Sequence, residues 1–97
     1  MPKQPAVYMV INRPPFGPIY TGVTSDLAQR AHQHRERKGS RFASKYNVTR
    51  LVWYELHDSM EEAILREKRL ERWKRGGKCR EIREMNPMLR DLYGDLA

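Results

Sequence analysis

Two short runs of β-forming residues, joined by a segment rich in proline, constrain the fold of this chain more than any other feature. The first run covers residues 7–11 and the second covers residues 18–23. Proline fixes its own backbone and cannot donate a hydrogen bond to a sheet, so the segment 12–17 between the runs must turn. The pattern therefore predicts a β-hairpin near the N-terminus.

A third apolar run, residues 51–56, predicts another strand, and its mixed apolar pattern predicts a well-buried position in the sheet. Before it, residues 24–26 (Thr-Ser-Asp) offer side-chain oxygens that can cap a helix. We expect this helix over about residues 26–38, with Gly39 as its stop.

The C-terminal part predicts two more helices. Ser59 and Glu62 have the spacing of a capping box, which predicts a helix over about residues 60–75. Gly76 and Gly77 are expected to end it, and a short helix around 78–85 follows. The order β-β-α-β-α-α predicts an α+β fold, a small three-stranded, mostly antiparallel sheet flanked by helices.

Size and composition agree with one domain spanning 1–97. Hydrophobic residues make up 39% of the 97, which suffices for a small core. No apolar run reaches the length of a membrane span and no secretory pattern is present, so a soluble cytoplasmic protein without a membrane partner is expected. The single Cys79 cannot form an internal disulfide.

The charge balance indicates a polyanionic partner. Nineteen Lys and Arg against twelve Asp and Glu give a net charge of +7. Residues 26–50 hold seven basic and two acidic residues, so the basic surface is expected mainly there. The alternative is a solvated basic face that only maintains solubility.

Glu67 is an unusual residue on the 60–75 helix because it falls on the apolar face. That face comprises Met60, Ala63, Ile64 and Leu70. An ionised carboxylate facing a core is costly unless it is paired, bound to metal or open to a cleft. The alternative is a partly exposed intrahelical pair, but the residue four positions later, Glu71, has the same charge.

The first predicted helix shows the same feature with the opposite sign. Arg30 and His34 share its apolar face with Leu27 and Ala31. Each alone is explained by a structural role, an ion pair for the arginine or a satisfied histidine. Together with Glu67 they suggest a site that binds an anion and a metal ion.

These residues, in order with two tripeptides, resemble the GIY-YIG nuclease domain. Ala6-Val7-Tyr8 and Tyr20-Thr21-Gly22 occupy the two motifs, with Ala6 in place of the first glycine and Thr21 in place of the isoleucine. Arg30, His34 and Glu67 follow in the family's order. The resemblance covers nearly the entire chain and is closest to small standalone bacterial members that are excinuclease-C-like.

The resemblance implies a metal-dependent DNA endonuclease that hydrolyses phosphodiester bonds, with structure selectivity in DNA repair or recombination. The implied catalytic residues are Tyr8, Tyr20, Arg30, His34 and Glu67. Glu67 would hold one Mg²⁺ or Mn²⁺, since no second carboxylate is expected nearby. Arg30 would bind the scissile phosphate, and His34 would assist the base.

The general base is left open between Tyr8 and Tyr20, and a phenol must have its pKa lowered by the arginine and the metal to act near neutral pH. Asn86 is the candidate for an asparagine that completes the family's set. Residues implied to follow the DNA backbone are Arg35, Arg37, Lys38, Arg41 and Lys45.

Other interpretations remain. Tyr8 and Tyr20 could simply pack the strands, as aromatic residues often do. The chain could be a non-catalytic nucleic-acid-binding module that acts with a protein partner supplying specificity, or a basic ribosome-associated protein. Trp53 and Trp73 are expected in the core.

Overall fold

The computed structural model describes residues 4–11, 18–30 and 50–92. Its regular elements in chain order are strands β1 (Ala6–Ile11), β2 (Ile19–Thr24) and β3 (Arg50–Leu56), then helices α1 (Met60–Glu71) and α2 (Arg75–Met85). All strand pairs are antiparallel, and the strand order is β2-β1-β3. The predicted hairpin and α+β architecture are confirmed. Within the described ranges, no helix is long and apolar enough to cross a membrane.

Strand β1 is the centre of the molecule, and all six of its residues are buried. Alternate side chains point to opposite faces of the sheet. On the face called here the tyrosine face, Tyr8 and Val10 pack with Leu27 and residues of β3. On the opposite face, called the helix face, Val7, Met9 and Ile11 pack against residues of α1 and α2. Two small cores therefore lie on either side of one strand.

Strand β3 lies at an edge of the sheet. Its first apolar residues, Leu51, Val52 and Trp53, are buried, but its last residue, Leu56, is 40% exposed. The well-buried position predicted for this strand is therefore right only for its first half.

A β-bulge interrupts the pairing of β1 with β3. Met9 lies opposite Trp53, whereas the next residue, Val10, lies opposite Leu51, so Val52 is the extra residue. Because one inserted residue reverses the alternation of faces, Val52 and Trp53 both pack on the helix face.

Helix α1 begins as predicted, with the Ser59 hydroxyl accepting a hydrogen bond from the Glu62 amide at 3.2 Å. It ends at Glu71, earlier than expected. The amide of Arg72 bonds to the carbonyl of Arg69, three residues back, which tightens and closes the last turn. Gly76 and Gly77 are not the stop; they lie in the first turn of α2.

The buried face of α1 is rotated relative to the prediction. Ala63 and Leu70 are buried, but Met60 and Ile64 are more than one third exposed. The half-buried residues on this side are Arg66 and Glu67. The predicted placement of Met60 and Ile64 in the core is therefore wrong, whereas Glu67 does lie beside the packed face.

The two tryptophans differ. Trp53 is buried, as expected. Trp73, in the turn between α1 and α2, is 38% exposed, so its predicted place in the core is wrong. The turn comes before the chain enters the core of the helix face again at Ile82.

Candidate active site

The two motif tyrosines lie side by side on the tyrosine face. Tyr8 of β1 pairs with Gly22 of β2, and Tyr20 of β2 pairs with Val10. The two phenol rings are therefore diagonal neighbours, with centroids 6.2 Å apart and planes tilted by 45°. Tyr8 is buried and Tyr20 is half-buried.

Gly22 is required by the ring of Tyr8. A Cβ atom at this position would lie 2.5 Å from Tyr8 Oη and 2.6 Å from Tyr8 Cζ. It would also lie 3.0 Å from Cε1 of Tyr20. The glycine of the second motif thus leaves the space into which Tyr8 reaches.

The two departures from the family motifs are accommodated in different ways. Ala6, in place of a glycine, is fully buried, and its methyl group belongs to the core of the tyrosine face. Thr21, in place of an isoleucine, pairs with Met9 and is also buried. In the part of the chain that the structure describes, the Thr21 hydroxyl has no hydrogen-bond partner. Neither change removes a side chain that the site uses.

Arg30 is positioned by a capped helical turn that follows β2 directly. The Thr24 hydroxyl accepts a hydrogen bond from the Asp26 amide at 3.1 Å. The Asp26 carboxylate accepts one from the Gln29 amide at 3.3 Å, and the Asp26 carbonyl accepts one from the Arg30 amide at 3.1 Å. The N-cap predicted for this segment is confirmed, and it brings the half-buried Arg30 next to the tyrosines.

The charges of two other predicted site residues, Arg30 and Glu67, act on Tyr8 together with the adjacent Tyr20. Burial raises the pKa of Tyr8 well above its ordinary value, and the nearby Tyr20 and Glu67 raise it further. The positive charge of Arg30 acts in the opposite direction. The Tyr8 hydroxyl also hydrogen-bonds to Tyr20, which stabilises its protonated form. A lowered pKa, expected for a tyrosine base, is not found for Tyr8 in this state.

Glu67 lies on α1 at the border of the same region. Burial raises the pKa of its carboxyl group, and a hydrogen bond and the negative charge of Glu71 add to this. The charges of Lys68 and Lys78 act in the opposite direction. The sequence prediction that no second carboxylate lies near Glu67 is wrong, because residues four apart on a helix are neighbours.

The donor set of this carboxylate pair fits a hard divalent cation, which prefers oxygen ligands. Over residues 4–11, 18–30 and 50–92, no group of three or more His, Cys, Asp or Glu side chains could hold a metal ion. An ion on Glu67 would therefore keep much of its water shell.

Asn86 is buried within the fold. Its side-chain Nδ2 donates to the carbonyls of Val52 at 3.2 Å and of Arg90 at 2.8 Å. Its Oδ1 accepts from the amide of Arg90 at 3.0 Å. The bond to Val52 ties the end of α2 to β3 and the two bonds with Arg90 fix the segment after α2, so we infer a structural role for Asn86.

The remaining predicted site residues lie outside the described residues. They are His34 and the five cations Arg35, Arg37, Lys38, Arg41 and Lys45.

A polar cluster that the sequence did not indicate surrounds Arg66 of α1. Its guanidinium donates to Glu55 at 3.0 Å and to Glu81 at 3.1 Å. The same group lies 6.0 Å from the ring centroid of Trp53 and 5.4 Å from that of Trp73. Two carboxylates and two aromatic rings thus compensate the charge of Arg66.

The described residues combine a three-stranded sheet, paired tyrosines on its hairpin, an arginine on the helical turn after β2 and a glutamate on α1. A family model described as the GIY-YIG catalytic domain matches residues 4–80. The chain belongs to the GIY-YIG nuclease family.

Similar proteins are found in Staphylococcus aureus. The chain is 29% identical over 68 residues to the UPF0213 proteins of strains Mu3 and Mu50. Each match covers 70% of this chain and 83% of the relative. No solved structure matches at the same level of significance.

Proposed function

We propose that this protein is a metal-dependent DNA endonuclease that hydrolyses phosphodiester bonds. The observation that supports the proposal is the pair of adjacent tyrosines, Tyr8 and Tyr20, in a member of the GIY-YIG family, with the charges of Arg30 and Glu67 acting on Tyr8. Phosphodiester hydrolysis needs an activated water, a neutralised phosphate and a stabilised leaving oxygen. The four side chains are suited to these three tasks.

Glu67, with Glu71 beside it, would hold a single Mg²⁺ or Mn²⁺ ion. When bound, such an ion neutralises charge on the phosphate and lowers the pKa of a coordinated water. Burial is the main cause of the raised pKa of the Glu67 carboxyl, and the hydrogen bond and negative charge of Glu71 add to it; a bound cation would offset the repulsion between the two carboxyl groups.

Arg30 would bind the scissile phosphate. A guanidinium can donate two parallel hydrogen bonds to phosphate oxygens, and its charge does not depend on pH in the physiological range. The capped turn that begins at Asp26 fixes the backbone of Arg30 and so limits where its side chain can reach.

Tyr20 is the better of the two tyrosines for the role of general base. Tyr8 is buried and holds its proton tightly. Tyr20 is half-buried and is the acceptor of the hydrogen bond from Tyr8, which is the arrangement that a proton-accepting oxygen needs. Tyr8 would then position Tyr20 and support negative charge on its oxygen.

We further propose that His34 assists the base and that the cations of residues 35–45 follow the DNA backbone. A role in DNA repair or recombination, a cytoplasmic location and a protein partner that supplies specificity complete the proposal. Contacts to phosphates alone carry no sequence information, which favours selection by DNA structure.

The test is cleavage of duplex, single-stranded and branched DNA with Mg²⁺ or Mn²⁺, comparing the wild type, Glu67→Gln and Glu61→Gln. Glu61 is an exposed glutamate on the same helix and serves as the matched control. We expect Glu67→Gln to lose at least about 100-fold in cleavage rate, the size of effect seen when one transition-state contact is removed. DNA binding in EDTA should remain.

Binding without cleavage on every substrate by the wild type would overturn the proposal. It would identify the chain as a non-catalytic nucleic-acid-binding module. Equal loss in Glu61→Gln would show that helix charge, and not the Glu67 carboxylate, is responsible.

A further inference from the structure

The turn between α1 and α2 exposes an aromatic side chain. Trp73 is 38% exposed, whereas Trp53 is 3% exposed. Tryptophan is highly buried on average, because its large apolar ring gains most from leaving water. The Arg66 guanidinium lies 5.4 Å from the centroid of the Trp73 ring. A ring that is partly exposed and contacts a cation of α1 is suited to stacking against a ligand.

The same turn is strongly basic. Residues 66–83 contain nine basic and three acidic residues. Arg72 and Lys74 flank Trp73 in the chain, and both are exposed. Of the three acidic residues, Glu81 pairs with the half-buried Arg66, while Glu67 and Glu71 are hydrogen-bonded to each other. The cations therefore dominate the surface of the segment 68–78, called here the α1–α2 corner.

The α1–α2 corner borders the candidate active site. The charges of Lys68 and Lys78 lower the pKa of Glu67, against the effect of burial, and Lys68 follows Glu67 directly in the chain. A DNA strand whose scissile phosphate lies at Glu67 would continue onto the surface where these lysines and Trp73 are found.

We propose that the α1–α2 corner is a DNA-binding surface on which Trp73 stacks against an unpaired base while the flanking cations bind phosphates. The inference rests on the proposed function only in taking DNA as the ligand. Proteins that bind single strands combine a positive surface with aromatic side chains, because every base offers a face for stacking. A base within a duplex is already stacked on both sides. The substrate class is therefore DNA with an unpaired segment next to the cleaved bond.

Tryptophan fluorescence tests the stacking directly. The chain has two tryptophans and Trp53 is buried, so quenching by an oligonucleotide reports on Trp73. We expect a single strand of about 12 nucleotides to quench the emission in EDTA, where no cleavage occurs. A blunt duplex of the same sequence should quench little. Quenching that is equal for single strand and duplex, or that persists in Trp73→Leu, would overturn the proposal.

Affinity measurements by fluorescence anisotropy provide the second test. Trp73→Leu should weaken single-strand binding about tenfold, with duplex binding unchanged, and Trp73→Phe should retain most of the affinity. Lys74→Gln should lower the slope of binding against salt by about one. Arg83→Gln, the same charge change at the far end of α2, should leave this slope unchanged. Equal effects of the Lys74 and Arg83 variants would contradict a local surface.

The two proposals fail separately. Cleavage that continues without any preference for unpaired DNA removes the role of the α1–α2 corner and leaves the nuclease. Quenching and single-strand binding without cleavage remove the nuclease and leave the binding surface.

Discussion

Arg66 and Glu67 are consecutive, half-buried, charged residues on one turn of α1, yet their surroundings are opposite. Arg66 is bonded to Glu55 and Glu81, and it lies between two tryptophan rings. Glu67 has another carboxylate, Glu71, as its hydrogen-bond partner. One charge is fully compensated by the fold and the other is not.

The difference separates structural from functional burial. A half-buried charge with matched partners costs little and holds elements together, as Arg66 does for β3, α1 and α2. A half-buried carboxylate that has a like charge beside it costs stability in the metal-free protein, and that cost is accepted where a ligand later compensates it. A half-buried charged residue alone does not identify a functional site. The signs of the charges on the neighbouring residues are what distinguish a functional residue from a structural one.

The largest effect on stability is expected at Gly22, where the ring of Tyr8 leaves no room for a side chain. Gly22→Ala would place a methyl group within 2.6 Å of Tyr8 Cζ, and a clash of this kind costs about 3 kcal/mol. Gly76→Ala is the matched control, since its Cβ would have no described atom within 4 Å and alanine favours a helix. Urea denaturation measures both. A Gly22 variant as stable as the Gly76 variant would show that Tyr8 can move aside.

A smaller effect, but one that tests the comparison itself, is expected for Arg66→Met. Loss of the guanidinium removes the ion pairs with Glu55 and Glu81, of which Glu55 keeps its bond to His57, and this should reduce the free energy of unfolding by about 2 kcal/mol. Cleavage measured well below the melting temperature should remain close to that of the wild type. Arg69→Met, an exposed cation on the same helix, should change stability by less than about 0.5 kcal/mol.

If Arg66→Met abolished cleavage in a folded protein, or destabilised no more than Arg69→Met, the division into a structural and a functional charge would be wrong.

The smallest effect is a pH dependence of stability that Glu67 contributes. Its carboxyl pKa is raised above the ordinary 4.5, so the folded state binds its proton more tightly than the unfolded state. Stability then falls as pH rises through the window between these two values. Because Glu67 is only partly buried, the loss should be below about 1 kcal/mol.

The measurement is the difference in unfolding free energy between the wild type and Glu67→Gln, from about pH 4 to pH 7, in EDTA. The wild type should lose stability relative to the variant as pH increases. A difference that is constant or that grows in favour of the wild type would mean that Glu67 is compensated in the way Arg66 is.

The sequence predicts the parts of this molecule that depend on local pattern. The three strands, the caps at Ser59 and Asp26, and the position of Glu67 all follow from spacing along one element. Tyr8 and Tyr20 are assigned to the site by resemblance to the family, whereas Arg30 and Glu67 are indicated by helical pattern as well.

The errors concern relations between elements. Strand β3 lies at an edge because of the order of the strands in the sheet, and the periodicity of the sequence gives no information about that order. Trp73 was expected in the core because its hydrophobicity is local, whereas its exposure follows from where α1 stops. In the sequence, the negative charge of Glu71 argues against pairing with Glu67. In the structure, this same charge is what distinguishes the surroundings of Glu67 from those of Arg66.

The bulge at Val52 in β3 determines which charged residue of α1 is neutralised. If Val52 paired regularly with Met9 and there were no bulge, Trp53 would lie opposite Tyr8 and Glu55 opposite Ala6, both on the tyrosine face. With it, Trp53 lies opposite Met9 and Glu55 opposite Val7, on the face where α1 packs.

The bulge thus determines which side chains of β3 face the neighbouring helix α1. It delivers an aromatic ring and a carboxylate to Arg66 and keeps both away from the tyrosine pair. If Val52 paired regularly with Met9 instead of bulging, the strand beyond it would present its other face, crowding the phenols with an indole and leaving the arginine without its nearest counter-charge. The electrostatic asymmetry of α1 is therefore determined in a different element, by the bulge in β3.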